Sequence, residues 1–433
     1  MIRTTFEQRR TLERLNADEL GRHQLERLNR LLQAILPHNS FYAEKLNTIS
    51  PESLRDPNGP LKSLEQFATL PYTFKDELVS SRHPGDLAAN LTYPLQQYTR
   101  FHQTSGTRGR PLAVLDTAED WAWWIDAWQF IFDAADISPR DRVLMAFSFG
   151  PFVGFWSAFD AACARGCLVI PGGGMSTLAR LELARACGCT TMLCTPSYAL
   201  HMAEVGAEHQ IDVAQLDIRM LILAGEPGGS VPATRARIEQ TWNARVLDHC
   251  GATEVGPWGY GDREGQGLYV NESDFIAEFL SVETGQPAGE DELSELVLTN
   301  LGRTGSPIVR YRTGDLVRPR WQHPGDNRFV FLEGGVLGRS DDMMVVRGVN
   351  IFPSSIEQIL RSFPEIVEFR MTVRRESEMD QLLIEVEDRL DDPARVATEL
   401  NLRLGLKVDV TSVALGSLPR VEGKARRFVD QRG

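Results

Sequence analysis

Four short apolar runs, at 143–147, 167–170, 191–194 and 220–223, recur between helix-length segments that each end at Gly or Pro. Runs of four or five residues alternating with helical stretches read as strands joined by crossover helices. That pattern demands a largely parallel sheet with helices packed on its faces. Ligands of such sheets sit at the carboxyl ends of the strands. Two segments fall there: Ala224-Gly-Glu-Pro-Gly-Gly229 after the run at 220–223, and Asp248-His-Cys-Gly-Ala-Thr-Glu254 after the short run at 245–247.

The remainder of the chain changes character twice. Leucines from about 8 to 35 fall at amphipathic spacing and predict one packing helix, and 121–135 predicts a second, rich in Trp and Phe. From Gly267 the pattern turns to shorter strands, including 295–299 and 328–332, which predicts a β-rich subdomain. After Gly338-Arg-Ser340 comes a compact series: strand 343–346, helix 353–363, strands near 369–373 and 382–387, helix 393–404 and strand 408–413. The expected fold is therefore α/β. A large N-terminal domain of layered sheets and helices (1–338) carries the β-rich subdomain, and a small mobile α+β C-terminal domain (341–433) follows.

Composition narrows the function. No uninterrupted apolar run in the 433 residues approaches the roughly 20 a membrane helix needs, and the N-terminus lacks the apolar core of a signal peptide, so a cytoplasmic enzyme is expected. A net charge of −13 opposes loose binding to nucleic acid or anionic membrane. Any phosphate site must be a local exception, such as the tail with Arg420, Lys424, Arg426, Arg427 and Arg432, most of whose arginines read as solvated. The six cysteines read as buried free thiols rather than disulfides or a zinc site. A metal at His249-Cys250, beside Glu254, is disfavoured because the pair sits in a segment whose place after a strand suits a nucleotide.

Between strand-like runs lies Gln103-Thr-Ser-Gly-Thr-Arg-Gly-Arg-Pro111. Gly106 and Gly109 permit close backbone approach, Thr104, Ser105 and Thr107 offer donors, and Arg108 and Arg110 add charge, which together suit a polyphosphate. It is not a Walker A loop, because no Gly-Lys-Ser/Thr follows at the required spacing. Taken alone it is equally a polar surface turn.

Further signals follow in fixed order: the two strand-end segments above, then Arg310-Tyr-Arg-Thr-Gly-Asp315, Gly338-Arg-Ser-Asp-Asp342, Arg347-Gly-Val-Asn-Ile-Phe-Pro353 and Leu418-Pro-Arg-Val-Glu-Gly-Lys424. This series resembles the adenylate-forming superfamily of acyl- and aryl-CoA ligases. Asn39-Ser-Phe-Tyr42, Leu70-Pro-Tyr-Thr-Phe-Lys75 and Glu422-Gly-Lys-Ala draw the resemblance toward the phenylacetate-CoA ligase branch.

The resemblance implies ATP-dependent activation of an aryl carboxylic acid to acyl-AMP with release of pyrophosphate, then transfer to coenzyme A, with ATP, Mg²⁺ and coenzyme A as cofactors. Loading of a phosphopantetheinyl carrier protein, or a non-catalytic nucleotide sensor on the same fold, are the alternatives. The partners implied are the acid and coenzyme A, without nucleic acid or membrane, and a homodimer is compatible. Thr104, Ser105, Gly106, Thr107 and Arg110 would cradle the phosphates, Arg110 standing where a lysine is typical. Glu254 would bind Mg²⁺, and Thr253 would donate to the α-phosphate. Cys250 replaces the usual aromatic residue before the glycine, so Asp248, His249 and the Gly225-Glu226-Pro227 turn would carry more of the adenine recognition. Asp315 would accept from the ribose hydroxyls, supported by Arg339. Lys424 would be the catalytic cation bridging carboxylate and α-phosphate. Phe147, Phe149, Tyr198, Ala224 and Trp258 would wall the acid, Asp341 would act as the hinge, and Gly348, Val349 and Asn350 would flank the pantetheine arm.

Overall fold

The strands Leu168–Pro171, Arg142–Met145, Thr191–Cys194, Met220–Ala224 and Arg245–Ala252 lie side by side in that order, all parallel. They belong to a computed structural model that describes residues 2–79, 87–104, 111–340, 344–346, 349–351, 353–376, 379–404, 408–419 and 427–431. Their side chains alternate between two cores. Leu221 and Leu223 face Leu181, Met202 and Trp242, from the helices Thr177–Cys187, Pro196–Glu208 and Pro232–Trp242. Met220 and Ile222 face Trp128, Phe132 and Ala161, from the helices Ala118–Ala134 and Trp156–Arg165. Both faces are covered, as the apolar strand runs require. Each large apolar side chain buried in this way contributes roughly 1.5–3 kcal/mol.

The sheet does not stop at its parallel part. Arg245–Ala252 turns back on Gly256–Gly261, with His249 opposite Tyr260 and Cys250 opposite Gly259. Gly267–Val270, Phe331–Glu333 and Pro319–Arg320 extend the sheet to nine strands. The run at 245–247 was thus too short: the strand continues through Asp248, His249 and Cys250 because the returning strand supplies a second set of ladder partners. A separate antiparallel sheet orders Phe275–Ser281, Ser294–Asn300, Tyr311–Val317 and Gly338–Arg339.

The N-terminal leucines form two helices, not one. Phe6–Glu13 ends before Asn16, whose side chain accepts from the Glu19 N–H while Glu19 caps the Asn16 N–H, starting Ala17–Ile35 afresh. At the other end of the chain, Ile366–Glu376 and Met379–Asp388 form a central hairpin against the helices Pro353–Arg361 and Pro393–Leu404. Asp409–Ser412 flanks one edge and Phe428–Asp430 the other, both parallel. That last strand was not anticipated, and it removes Arg427 from solvent. The Arg427 side chain is only 9% exposed and donates to both oxygens of Glu368, at 2.7 and 3.2 Å.

Candidate active site

Glu254 lies in the turn after Arg245–Ala252 and is buried. Two groups converge on its Oε1: the Tyr311 hydroxyl donates at 2.9 Å and Lys75 Nζ lies at 3.4 Å. Both stand in segments that carry the family resemblance, but the sequence assigned neither a role in the site. The segment 70–75 is brought there by its backbone, since Thr73 N–H donates to Arg310 O and Arg312 N–H donates to Thr73 O, on either side of Tyr311. Asn39 and Tyr42, part of the same resemblance, prove to be its scaffold. Asn39 donates to Asn90 O and Thr92 Oγ1, and Tyr42 takes Thr73 and the Val309 N–H as partners. Burial pushes the Tyr42 phenol up to about 12. Burial and then the Glu254 carboxylate push the Tyr311 phenol far higher, so it stays a donor at every working pH.

The neck of the 103–111 loop sits at the end of a hairpin, Tyr98–Gln103 with Ala113–Thr117. Thr104 extends the ladder: its N–H donates to Leu112 O and its Oγ1 accepts from Leu112 N–H, each at 3.0 Å. Ser105, Gly106, Thr107 and Arg110 lie outside the described residues, as do Asp341, Gly348 and Lys424. Val349 and Asn350 belong to the short strand Val349–Ile351, which pairs with Met344–Val346.

On the strand Tyr311–Val317, four residues beyond Tyr311, Asp315 lies opposite Arg339, whose Nη1 donates to Asp315 Oδ1 at 2.8 Å. Arg339 is 40% exposed and Asp315 16%, so the carboxylate is held in place yet still reachable. Gly225 and Pro227 are exposed past the end of Met220–Ala224, where Gly225 has φ +94°. Glu226 Oε1 accepts the Ser197 N–H at 2.7 Å. Gly229 is a close approach: a Cβ there would stand 2.5 Å from Asp248 Oδ1.

Asp248 and His249 face inward. Ser230 Oγ donates to Asp248 at 2.6 Å, and burial raises that carboxyl to about 6. The His249 ring meets Trp128 at 4.3 Å, its Nδ1 lies 2.7 Å from Gly259 O, and burial lowers it to about 4. Cys250 is half-buried and packs against the neighbouring core. The other cysteines are free, and Cys163 is exposed against expectation.

A cavity of about 50 Å³ beside the sheet is lined by Ala146, Phe147, Ser148, Phe152, Arg180, Thr195 and Tyr198. The Arg180 guanidinium donates to the Tyr198 hydroxyl, which also meets Thr177 Oγ1 at 3.1 Å. Ala224, Phe149 and Trp258 do not line it: Phe149 packs edge-on to Trp156, and Trp258 is buried in the core. Among the described residues no group of three or more His, Cys, Asp or Glu could hold a metal by itself. The single carboxylate of Glu254 suits Mg²⁺, which keeps waters and shares phosphate oxygens.

Residues 101–277 match the AMP-binding enzyme family, and residues 348–432 match the AMP-binding enzyme C-terminal domain. The chain is 32% identical to a phenylacetate-coenzyme A ligase of Escherichia coli and 30% identical to one of Thermus thermophilus. In both cases 97% of this chain is covered, with 97% and 98% of the relatives. It belongs to the adenylate-forming acid–CoA ligases, in their phenylacetate-CoA ligase-like branch. This ligase also superposes on crystal structures of 2-hydroxyisobutyryl-CoA ligase, at 28% identity over 99% of this chain and 94% of that one. The TM-score is 0.89 for the postadenylation state and 0.72 for the thioesterification state with CoA. The ligase is thus an AMP-forming enzyme that uses ATP and coenzyme A. Among its described residues no helix is long and apolar enough to cross a membrane.

Proposed function

We propose that the acid this ligase activates is aromatic. Its carboxylate oxygen attacks the α-phosphorus of ATP, the bond to the bridging oxygen breaks, and pyrophosphate leaves. The coenzyme A thiol, losing its proton, then attacks the acyl carbon and expels AMP to give the aryl-CoA thioester. The observation that carries the site assignment is the convergence of Lys75 and Tyr311 on one oxygen of Glu254, with Asp315 on the same strand as Tyr311.

In this reading Glu254 would hold magnesium, whose positive charge would be supplied to the phosphates of ATP. Lys75 adds a cation beside it, and Thr253 donates to the α-phosphate. Thr104 keeps the phosphate loop's neck closed while Ser105, Gly106, Thr107 and Arg110 take the outer phosphates. Asp315, oriented by Arg339, accepts from the ribose hydroxyls. The Gly225–Pro227 backbone and Cys250 bound the adenine, with Asp248 and His249 supporting them from behind. Lys424 is the cation of the first half-reaction, Asp341 the hinge between a large domain (1–338) and a small one (341–433), and Gly348 to Asn350 flank the pantetheine arm.

The aromatic reading rests on the Phe147, Phe152 and Tyr198 rings around the cavity and on the phenylacetate-coenzyme A ligases among the relatives. A compact hydroxylated acid is the second reading. The cavity's small volume and its Ser148, Thr195 and Arg180 groups favour it. Pyrophosphate release against phenylacetate, benzoate, anthranilate, 2-hydroxyisobutyrate and aliphatic acids, with and without coenzyme A, decides between them. Preference for 2-hydroxyisobutyrate over every aryl acid would overturn the first reading.

A further inference from the structure

Arg303 is completely buried, and its donors are divided between two places. Nε donates to Asp116 Oδ1 at 2.8 Å, and Nη2 lies at the same distance from that oxygen as an ion pair without a hydrogen bond of its own. Nη1 points the other way, donating to the main-chain oxygens of Glu254 at 2.9 Å and Thr253 at 3.3 Å. Asp116 belongs to the strand Ala113–Thr117, half of the hairpin that carries the 103–111 loop. Trp124 Nε1 also donates to Asp116 Oδ1, at 3.2 Å. The other oxygen, Oδ2, has no hydrogen bond and faces the equally unbonded His102 Nδ1 at 3.8 Å.

The loop around Arg303 is tightly packed. A Cβ on Gly302 would stand 2.2 Å from the Trp123 ring, and one on Gly305 would stand 2.3 Å from Asp120. Asp120 in turn accepts the Thr304 N–H at 2.8 Å. A buried ion pair is a poor source of stability, because desolvating both charges offsets their attraction, yet its directional bonds fix one geometry. Here those bonds join the hairpin of the phosphate loop to the backbone of the two residues assigned to magnesium and the α-phosphate.

We propose that Arg303, held by Asp116, is a positioning residue for magnesium-ATP. It touches no substrate and acts by fixing the Thr253–Glu254 peptide against the phosphate-loop hairpin. The inference rests on the assignment of Glu254 above.

Removing one charge would strand the other, so the informative variant replaces both with apolar side chains, Asp116→Leu with Arg303→Met. Its adenylation is followed as pyrophosphate release with the best acid of the panel while magnesium-ATP is varied. Thioester formation is followed from synthetic acyl-AMP and coenzyme A. The expected result is a loss of about 10- to 100-fold in kcat/KM for magnesium-ATP, the range found when groups supporting a metal site are removed, with a raised magnesium requirement. The KM for the acid and the acyl-AMP reaction should stay within about threefold of wild type, since neither uses the metal site. If the double variant does not fold, Arg303→Lys serves: it keeps the charge beside Asp116 but lacks the fork that spans from Asp116 to the two carbonyls, so the same selective loss is expected. A folded variant with unchanged magnesium-ATP kinetics, or equal losses in both half-reactions, overturns the proposal. Glu254→Gln is run alongside. No magnesium effect in Glu254→Gln removes the assignment of Glu254 and the proposal with it, whereas an effect there and none in the double variant removes the proposal alone.

Discussion

The Tyr311 phenol donates a 2.9 Å hydrogen bond to Glu254 Oε1, the oxygen that Lys75 also approaches. With one oxygen engaged by two protein groups, Glu254 is held in a single orientation, and among the described residues Oε2 takes no hydrogen bond. Tyr311→Phe deletes the donor without changing the ring. A hydrogen bond to a charged group is worth roughly 1.5–3 kcal/mol, so the KM for magnesium-ATP should rise by about 10-fold or more. Thioester formation from supplied acyl-AMP should be unaffected. Unchanged adenylation kinetics would mean that Tyr311 serves packing alone.

Asp315, oriented by Arg339, is assigned to the ribose. Wild type should therefore discriminate against 2′-deoxy-ATP and 3′-deoxy-ATP, and Asp315→Ala should lose most of that discrimination, worth about 10-fold per hydroxyl. Retained discrimination in a folded Asp315→Ala protein would remove Asp315 from the sugar site.

Glu226 and Arg427 join the turn after Met220–Ala224 to the C-terminal sheet, with Oε2 and Nη1 3.8 Å apart and both side chains nearly buried. The whole arrangement superposes better on the postadenylation state of the related ligase than on its thioesterification state. Glu226→Gln keeps an acceptor for Ser197 N–H but drops the charge. Adenylation should slow by about fivefold, the worth of roughly 1 kcal/mol for a long ion pair, while the reaction of supplied acyl-AMP is spared. Losses of the same size in both half-reactions would assign Glu226 to the nucleotide instead.

His249, lowered to about 4 by burial, is neutral at pH 7, whereas the unfolded chain protonates its histidines near 6.5. The unfolded state therefore binds more protons between those values, and the stability tied to neutral His249 is lost as pH falls through that window. Compared with His249→Gln, wild type should lose stability by up to about 1.4 kcal/mol per pH unit between pH 6.5 and 4, read from denaturant midpoints. A stability difference independent of pH would show that His249 titrates normally.

The alternation of apolar runs with helices was enough to determine the parallel sheet, because a strand covered on both faces must be apolar throughout and its crossover must be helix-length. The glycine and acid positions proposed for the site were marked instead by the ordered motifs that carry the family resemblance: Thr253-Glu254 follows the end of a strand and Gly225 has φ +94°, whereas Gly314-Asp315 lies inside the strand Tyr311–Val317. What joins those positions was not legible. Lys75, Tyr311 and Arg303 reach Glu254 from 179, 57 and 49 residues away along the chain, and no local pattern encodes a contact at that separation. Asp248, His249 and Trp258 look like site residues in sequence, and only the returning strand Gly256–Gly261 decides that they face the interior. Tertiary packing likewise turned Arg427 from a tail cation into a buried partner of Glu368, since a three-residue strand carries too weak a signal to be read without the sheet edge it completes.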